Sequence, residues 1–290
     1  MASLVGAFAA SHGPLIARDW HLLNVPLKAR LAGAFRAIGA RLDEAAADVL
    51  VMVSPDHWCN FFIDNLPSVC IGVGETHQGP PEPFLKNFPH TTMAGHPGFA
   101  RHLLARALDR DFEPSLSHRL KLDHGFCIPI LRMELARLPA IVPVIVNDLE
   151  PPMPSVRRCL AWGRLIREAI DSCPEALRVA VLATGGLSHS IGEPSMGAID
   201  EAFDRACLAS FATDDDDRLA RFLDARMDAA GNGTHEVRNW VVAHAAAGGT
   251  GFEVIDYFPA PELYVGCGFA RWRLDGPDQR SGTPARLRPS

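Results

Sequence analysis

Four histidines stand where imidazole chemistry can be assembled. His12, in Ser11-His12-Gly13-Pro14, follows the apolar run Leu4–Ala9. His57, in Ser54-Pro55-Asp56-His57, follows Val49–Val53. His189, in Thr184-Gly185-Gly186-Leu187-Ser188-His189, follows Val179–Ala183. His124, in Leu122-Asp123-His124-Gly125, precedes an apolar segment of helical character. A single loop histidine is usually a surface residue. Independent surface histidines, however, have no reason to prefer strand ends, and imidazoles gathered in one cleft can bind a metal or move protons.

Two acids extend the set. Asp56 either orients an imidazole or forms a turn beside Pro55, and the residue pattern leaves both open. Glu236 lies in the first turn of an expected helix, where it either favours the helix dipole or supplies a carboxylate ligand. Two neutral imidazoles plus one carboxylate on one face of a metal make the facial triad of non-haem Fe(II) oxygenases. Spacing alone does not choose Glu236 from the chain's 34 acids.

Several other motifs fail on inspection. His235-Glu236 opens like H-E-x-x-H, but position 239 is Asn. Gly186-Leu187-Ser188-His189-Ser190 ends in Ser where a nucleophile elbow needs Gly. Gly72-Val73-Gly74 lacks the third glycine of a dinucleotide fingerprint. Asp214 to Asp217 read as the solvated start of a helix, and His77, His90, His96, His102, His118 and His244 as structural or surface residues.

The elements that must position these groups follow from hydrophobic periodicity. Leu4–Ala9, Val49–Val53, Val69–Val73, Ile141–Val146 and Val179–Ala183 are near-continuous apolar runs, as expected of strands covered on both faces. Helical spacing marks Leu27 to Ala47, Phe99 to Leu108, Val156 to Ile170, Ala198 to Phe211 and Arg218 to Met227. Thr234 reads as the N-cap of a helix with the stripe Val237, Trp240, Val241 and His244, and a strand pair, Phe252–Tyr257 and Leu263–Trp272, follows. Gly74 to Gly95, with four prolines and no periodicity, reads as a long functional loop. The expected fold is α/β: a layered domain with a central mostly parallel or mixed sheet, flanked by helices, with the site at the carboxyl ends of the strands. One catalytic domain over residues 1–274 and a loose tail over 275–290 are expected.

Composition removes other classes. The 290 residues carry 28 Lys plus Arg against 34 Asp plus Glu, a net charge of −6. That balance speaks against nucleic acid as a partner. With 48% apolar and 21% charged residues the chain can build a core. No apolar run has the length of a membrane span, and no positive charge precedes Leu4–Ala10, which reads as a strand rather than a signal-peptide core. The 7 cysteines, scattered and without C-x-x-C, read as reduced thiols in a cytoplasm.

These segments together resemble the class III extradiol ring-cleavage dioxygenases, the family that includes the protocatechuate 4,5-dioxygenase beta subunit and 2,3-dihydroxyphenylpropionate 1,2-dioxygenase. The resemblance rests on Ser11-His12, Pro55-Asp56-His57, Gly95-His96-Pro97, Asp123-His124-Gly125, Pro151 to Ile170, Thr184 to His189 and Thr234-His235-Glu236, in that order. It implies that His12, His57 and Glu236 bind Fe(II), that His189 is the catalytic acid/base, and that His124 transfers a second proton or positions substrate. It implies supporting or pocket-lining roles for Asp56, Asp123 and Ser188. The implied reaction opens the ring of a catechol-type substrate, carboxylated as in protocatechuate or dihydroxyphenylpropionate, beside the diol, with both atoms of O2 entering the product. A homo-oligomer is the expected assembly, and some relatives need a small accessory subunit. Two other readings stand beside this one: a Zn-dependent hydrolase using the same histidines, and a non-catalytic relative acting as a binding protein.

Overall fold

The computed structural model describes residues 1–274; the expected tail over 275–290 lies outside the described residues. In chain order the elements are β1 (Ser3–Ala10), α1 (Leu15–Arg18), α2 (Val25–Glu44), β2 (Val49–Ser54), β3 (Val69–Gly72), β4 (Thr76–Gly79), β5 (Thr91–Ala94), α3 (Pro97–Leu108), β6 (Ser115–Ser117), α4 (His124–Arg132), β7 (Ala140–Val146), α5 (Val156–Ser172), β8 (Arg178–Thr184), α6 (Glu201–Phe211), α7 (Asp216–Arg226), α8 (Val237–Ala247), β9 (Phe252–Ala260) and β10 (Val265–Trp272). Eight strands form one mixed sheet in the order β6-β3-β7-β2-β8-β1-β10-β9. β7, β2, β8 and β1 run parallel at its centre, and β10 pairs antiparallel to β1.

Period-2 alternation explains how one sheet serves two cores. Val49, Val51 and Val53 of β2, with Val142, Val144 and Val146 of β7, face one way and pack with α3, α5, α6, α7 and α8. Leu50 and Met52, with Ile141 and Ile145, face the other way and pack against α2 and α4. Both faces are therefore covered, as the unbroken apolar runs predicted. Every residue of α8 is buried. Gly163 of α5 lets the two helices meet closely, since a Cβ there would strike the Val242 carbonyl and the Ala245 methyl.

Three local expectations need correction. The Gly74–Gly95 stretch is not irregular throughout, because β4 and β5 pair as a small antiparallel sheet with His77 opposite Met93. Strands of four residues are too short to show periodicity in sequence. Thr234 does not cap α8. A 3-10 turn over Asn232–Glu236 leads into the helix, and Glu236 is the junction residue. The Thr234 hydroxyl instead donates to the Ala230 carbonyl at 2.9 Å. The last strand starts at Val265 rather than Leu263, because Pro261–Leu263 form a 3-10 turn closed by Tyr264 in the left-handed region, at φ 59°.

Candidate active site

The parallel strands deliver the site. His12 lies two residues past β1, His57 three past β2, and His189 five past β8. His124 opens α4, and Glu236 precedes α8. His12, His124, His189 and Glu236 are buried and His57 partly so. All five line one cavity of about 440 Å³ at the carboxyl edge of the sheet.

At its floor three donor atoms form a nearly equilateral triangle. His12 Nε2 is 3.2 Å from His57 Nε2. Glu236 Oε1 is 3.3 Å from each of them. Two donors about 2.1 Å from one ion and at right angles to each other stand about 3.0 Å apart, so the triangle fits one face of a metal's coordination shell. The histidine trio His12, His57 and His124 also offers ligand atoms within 4.8 Å of one another. The tighter set includes the carboxylate, whose charge suits a divalent cation.

Each donor is held by a specific neighbour. His57 Nδ1 contacts Asp123 Oδ2 at 3.1 Å, which leaves the Nε2 lone pair for the triangle. Asp123 also caps α4, its Oδ1 accepting from the Gly125 N–H at 2.9 Å. Gly125 is required here: a Cβ would meet Ser54 Oγ at 2.5 Å and His57 Cε1 at 3.2 Å. Gly185, at φ +155°, leaves space that Glu236 Cβ fills, so this glycine lets the acid approach the strand end, while Gly186 makes room for Val265 and the His189 ring. His12 Nδ1 is buried without a partner.

Electrostatics show how closely charges are packed. Burial alone would raise the Glu236 carboxyl, but the His12 and His189 imidazoles outweigh it and hold it well below the usual range. Burial alone would depress His57, and Asp123 and Glu236 instead hold it well above its ordinary value. Burial and the neighbouring His57 push His124 down to about 4, against the pull of Glu82.

His189 Nδ1 lies 2.8 Å from the Leu187 carbonyl, a contact that only an N–H can make favourably. Its Nε2 then carries the lone pair and lies 3.8 Å from Glu236 Oε1. A Cβ on Gly233 would overlap the His189 ring, so that glycine sets the ring's seat.

Asp56 does not touch an imidazole. Its carboxylate accepts the backbone N–H groups of Cys59, Asn60 and Phe61, so it shapes the loop after His57. Ser188 does not line the cavity; it ties the His189 loop to α6 through Asp204 and Asp200. The structure adds Glu82, which sequence reasoning passed over. Buried in the Pro-rich loop, its Oε1 accepts the His124 backbone N–H at 2.8 Å and contacts His124 Nδ1 at 2.6 Å. No local signal marked it beyond its place among prolines. The cavity walls, including Trp58, Ile191 and Tyr264, were equally silent in sequence.

The chain is similar to several known proteins. The chain is 31% identical to a 2,3-dihydroxyphenylpropionate/2,3-dihydroxicinnamic acid 1,2-dioxygenase of Xanthobacter autotrophicus (strain ATCC BAA-1158 / Py2), over 71% of this chain and 79% of that one. It is 27% identical to a protein of the same name from Rhodococcus globerulus, over 90% and 95% of the two chains. A crystal structure of the uncharacterized protein JW3007 from Escherichia coli K12 shares the fold, with TM-score 0.58, 13% identity, and coverage of 93% of this chain and 100% of that one. The family model described as the catalytic LigB subunit of aromatic ring-opening dioxygenase matches residues 6–263, and the chain belongs to that family.

Proposed function

We propose that the protein is an Fe(II)-dependent extradiol dioxygenase that opens the ring of a catechol-type substrate with O2. The observation that carries this reading is the triangle of His12 Nε2, His57 Nε2 and Glu236 Oε1, with edges of 3.2 to 3.3 Å, at the floor of a cavity. His12, His57 and Glu236 would hold the metal. Fe(II) bound there would lower the pKa of a diol's hydroxyls and bring the diol and O2 together at its open positions.

The rest of the work falls to side chains of this chain. His189, with its Nδ1–H committed to the Leu187 carbonyl, offers Nε2 as the base that takes a hydroxyl proton and later returns it to the opening product. His124, held neutral near pH 7 and anchored through Nδ1 by Glu82, offers its other nitrogen to orient the second hydroxyl. Trp58, Leu263 and Val265 line the cavity and give it apolar wall. The relatives' names carry a propionate side chain, in line with the carboxylated diol that the resemblance implied.

Among the described residues no helix is long and apolar enough to cross a membrane. All seven thiols are unpaired, which supports a reducing, cytoplasmic setting.

The test is anaerobic loading with Fe(II), followed by oxygen-electrode measurements on a panel of catechols. Oxygen uptake with a yellow ring-opened product is expected. A protein that takes up no oxygen with any diol, yet hydrolyses esters or amides when loaded with Zn²⁺, would overturn the dioxygenase reading.

A further inference from the structure

The cavity walls beyond the metal triangle come from loops at the ends of β1, β2, β7, β8 and the β9–β10 turn. They supply Pro14, Trp58, Leu149, Ile191, Leu263 and Val265, a largely apolar lining that also includes the polar Asn232 and Tyr264. Trp58 and Ile191 remain 38% and 54% exposed, so the apolar surface continues to the mouth. Outside the metal triangle the lining also holds one acid, the exposed Glu150, and among the described residues no Lys or Arg lines it.

Of the cations flanking these loops, Arg18, four residues past Pro14, pairs with the neighbouring Asp19 at 2.7 Å, and three others are engaged elsewhere. Arg157 pairs with Asp217 at 2.6 Å. Arg158 stacks over the Phe112 ring at 3.7 Å. Arg238 is buried, donating to the Pro154 carbonyl at 2.9 Å and contacting His235 Nδ1 at 2.6 Å.

From these walls we infer that the preferred diol carries an uncharged apolar ring substituent, alkyl or aryl, and that Glu150 at the rim rejects carboxylated diols. This rests on the dioxygenase reading of the same site and departs from the substrates in the relatives' names. A carboxylate entering the outer chamber would lose water, meet apolar walls and face a like charge. An alkyl chain would instead bury its methylenes against Trp58, Ile191 and Leu263, each methylene being worth roughly fourfold in affinity.

Two measurements test it. Anaerobic protein loaded with Fe(II) is titrated with 4-propylcatechol and with 3-(3,4-dihydroxyphenyl)propionate, diols of similar length that differ in charge. The same pair is then compared by kcat/KM in air. The uncharged diol should bind and turn over at least about tenfold better. Glu150→Lys should move the Kd ratio toward the carboxylated diol by about tenfold. Equal or stronger binding of the carboxylated diol by the wild type overturns the inference while leaving ring cleavage intact. An unmoved ratio in the Glu150 variant overturns its role as the excluding charge. Absence of oxygen uptake with every diol, unsubstituted catechol included, overturns the dioxygenase reading itself. In that case the anaerobic Kd ratio still decides which substituent the chamber favours.

Discussion

The backbone N–H of Gly186 donates to Glu236 Oε2 at 2.6 Å. That bond occupies one carboxylate oxygen and leaves Oε1 facing His12 and His57 at 3.3 Å. The strand-end glycine motif thus does two things. Gly185 removes the Cβ that would collide with Glu236, and Gly186 lends a main-chain donor that fixes which oxygen is free.

Removing that carboxylate should dismantle the triangle. Glu236→Ala is expected to lower Fe(II) affinity more than about 100-fold, beyond the 10–100-fold typical of a supporting residue. Metal analysis after gel filtration checks this, and full iron occupancy in the variant would refute the ligand assignment.

Asp123 acts one bond away. Asp123→Asn keeps the size but loses the charge that orients His57 and caps α4. Fe(II) affinity should fall by about 10–100-fold, measured by competition with a chelator of known strength. Unchanged affinity would mean that His57 needs no orienting partner.

His189→Ala should retain iron and slow turnover at saturating catechol by about 10²–10⁴-fold, the usual worth of a positioned proton shuttle. An unaltered rate would remove His189 from the mechanism.

Gly233→Ala probes the same ring without touching it chemically. The added methyl overlaps the imidazole and must displace it. We expect kcat to drop by about 10–100-fold with iron content and thermal stability nearly unchanged. A wild-type kcat would show that the ring's seat is not critical.

Asp148 gives the protein a pH-dependent stability. It is fully buried, its Oδ2 accepting from Asn239 Nδ2 at 2.8 Å while its Oδ1 has no partner. Burial, and after it the negative charge of Glu236, raise its pKa from 3.8 to about 8. The folded state therefore keeps a proton that the unfolded chain has lost, so this group's contribution to stability falls as pH rises from about 4 to about 8. The slope is up to about 1.4 kcal/mol per pH unit. Denaturant melts of chelator-treated protein at pH 5, 6.5 and 8 should show that slope, and Asp148→Asn should flatten it. An identical slope in the variant would show that Asp148 is ionised throughout.

Much of the scaffold was legible in the chain itself. Apolar runs such as Val49–Val53 declare strands covered on both faces, because only a two-sided core leaves no polar position in the run. Turn residues directly after those runs put His12, His57 and His189 at one edge of the sheet before any coordinates are considered. Short pairings such as β4 with β5 stayed hidden because four residues hold too little periodicity to register.

What the sequence by itself determined is the set of imidazoles and the edge at which they gather. Periodicity and turn chemistry are local, and they act within a few residues of each histidine. The family resemblance pointed to Glu236 and Asp123, but only the tertiary structure showed how close these acids stand to the imidazoles, and it added Glu82. His57 and Glu236 are 179 positions apart and His124 and Glu82 are 42 apart. No local pattern links such pairs, because a carboxylate becomes a metal ligand or a histidine's anchor through the distance that packing imposes, not through its neighbours in the chain.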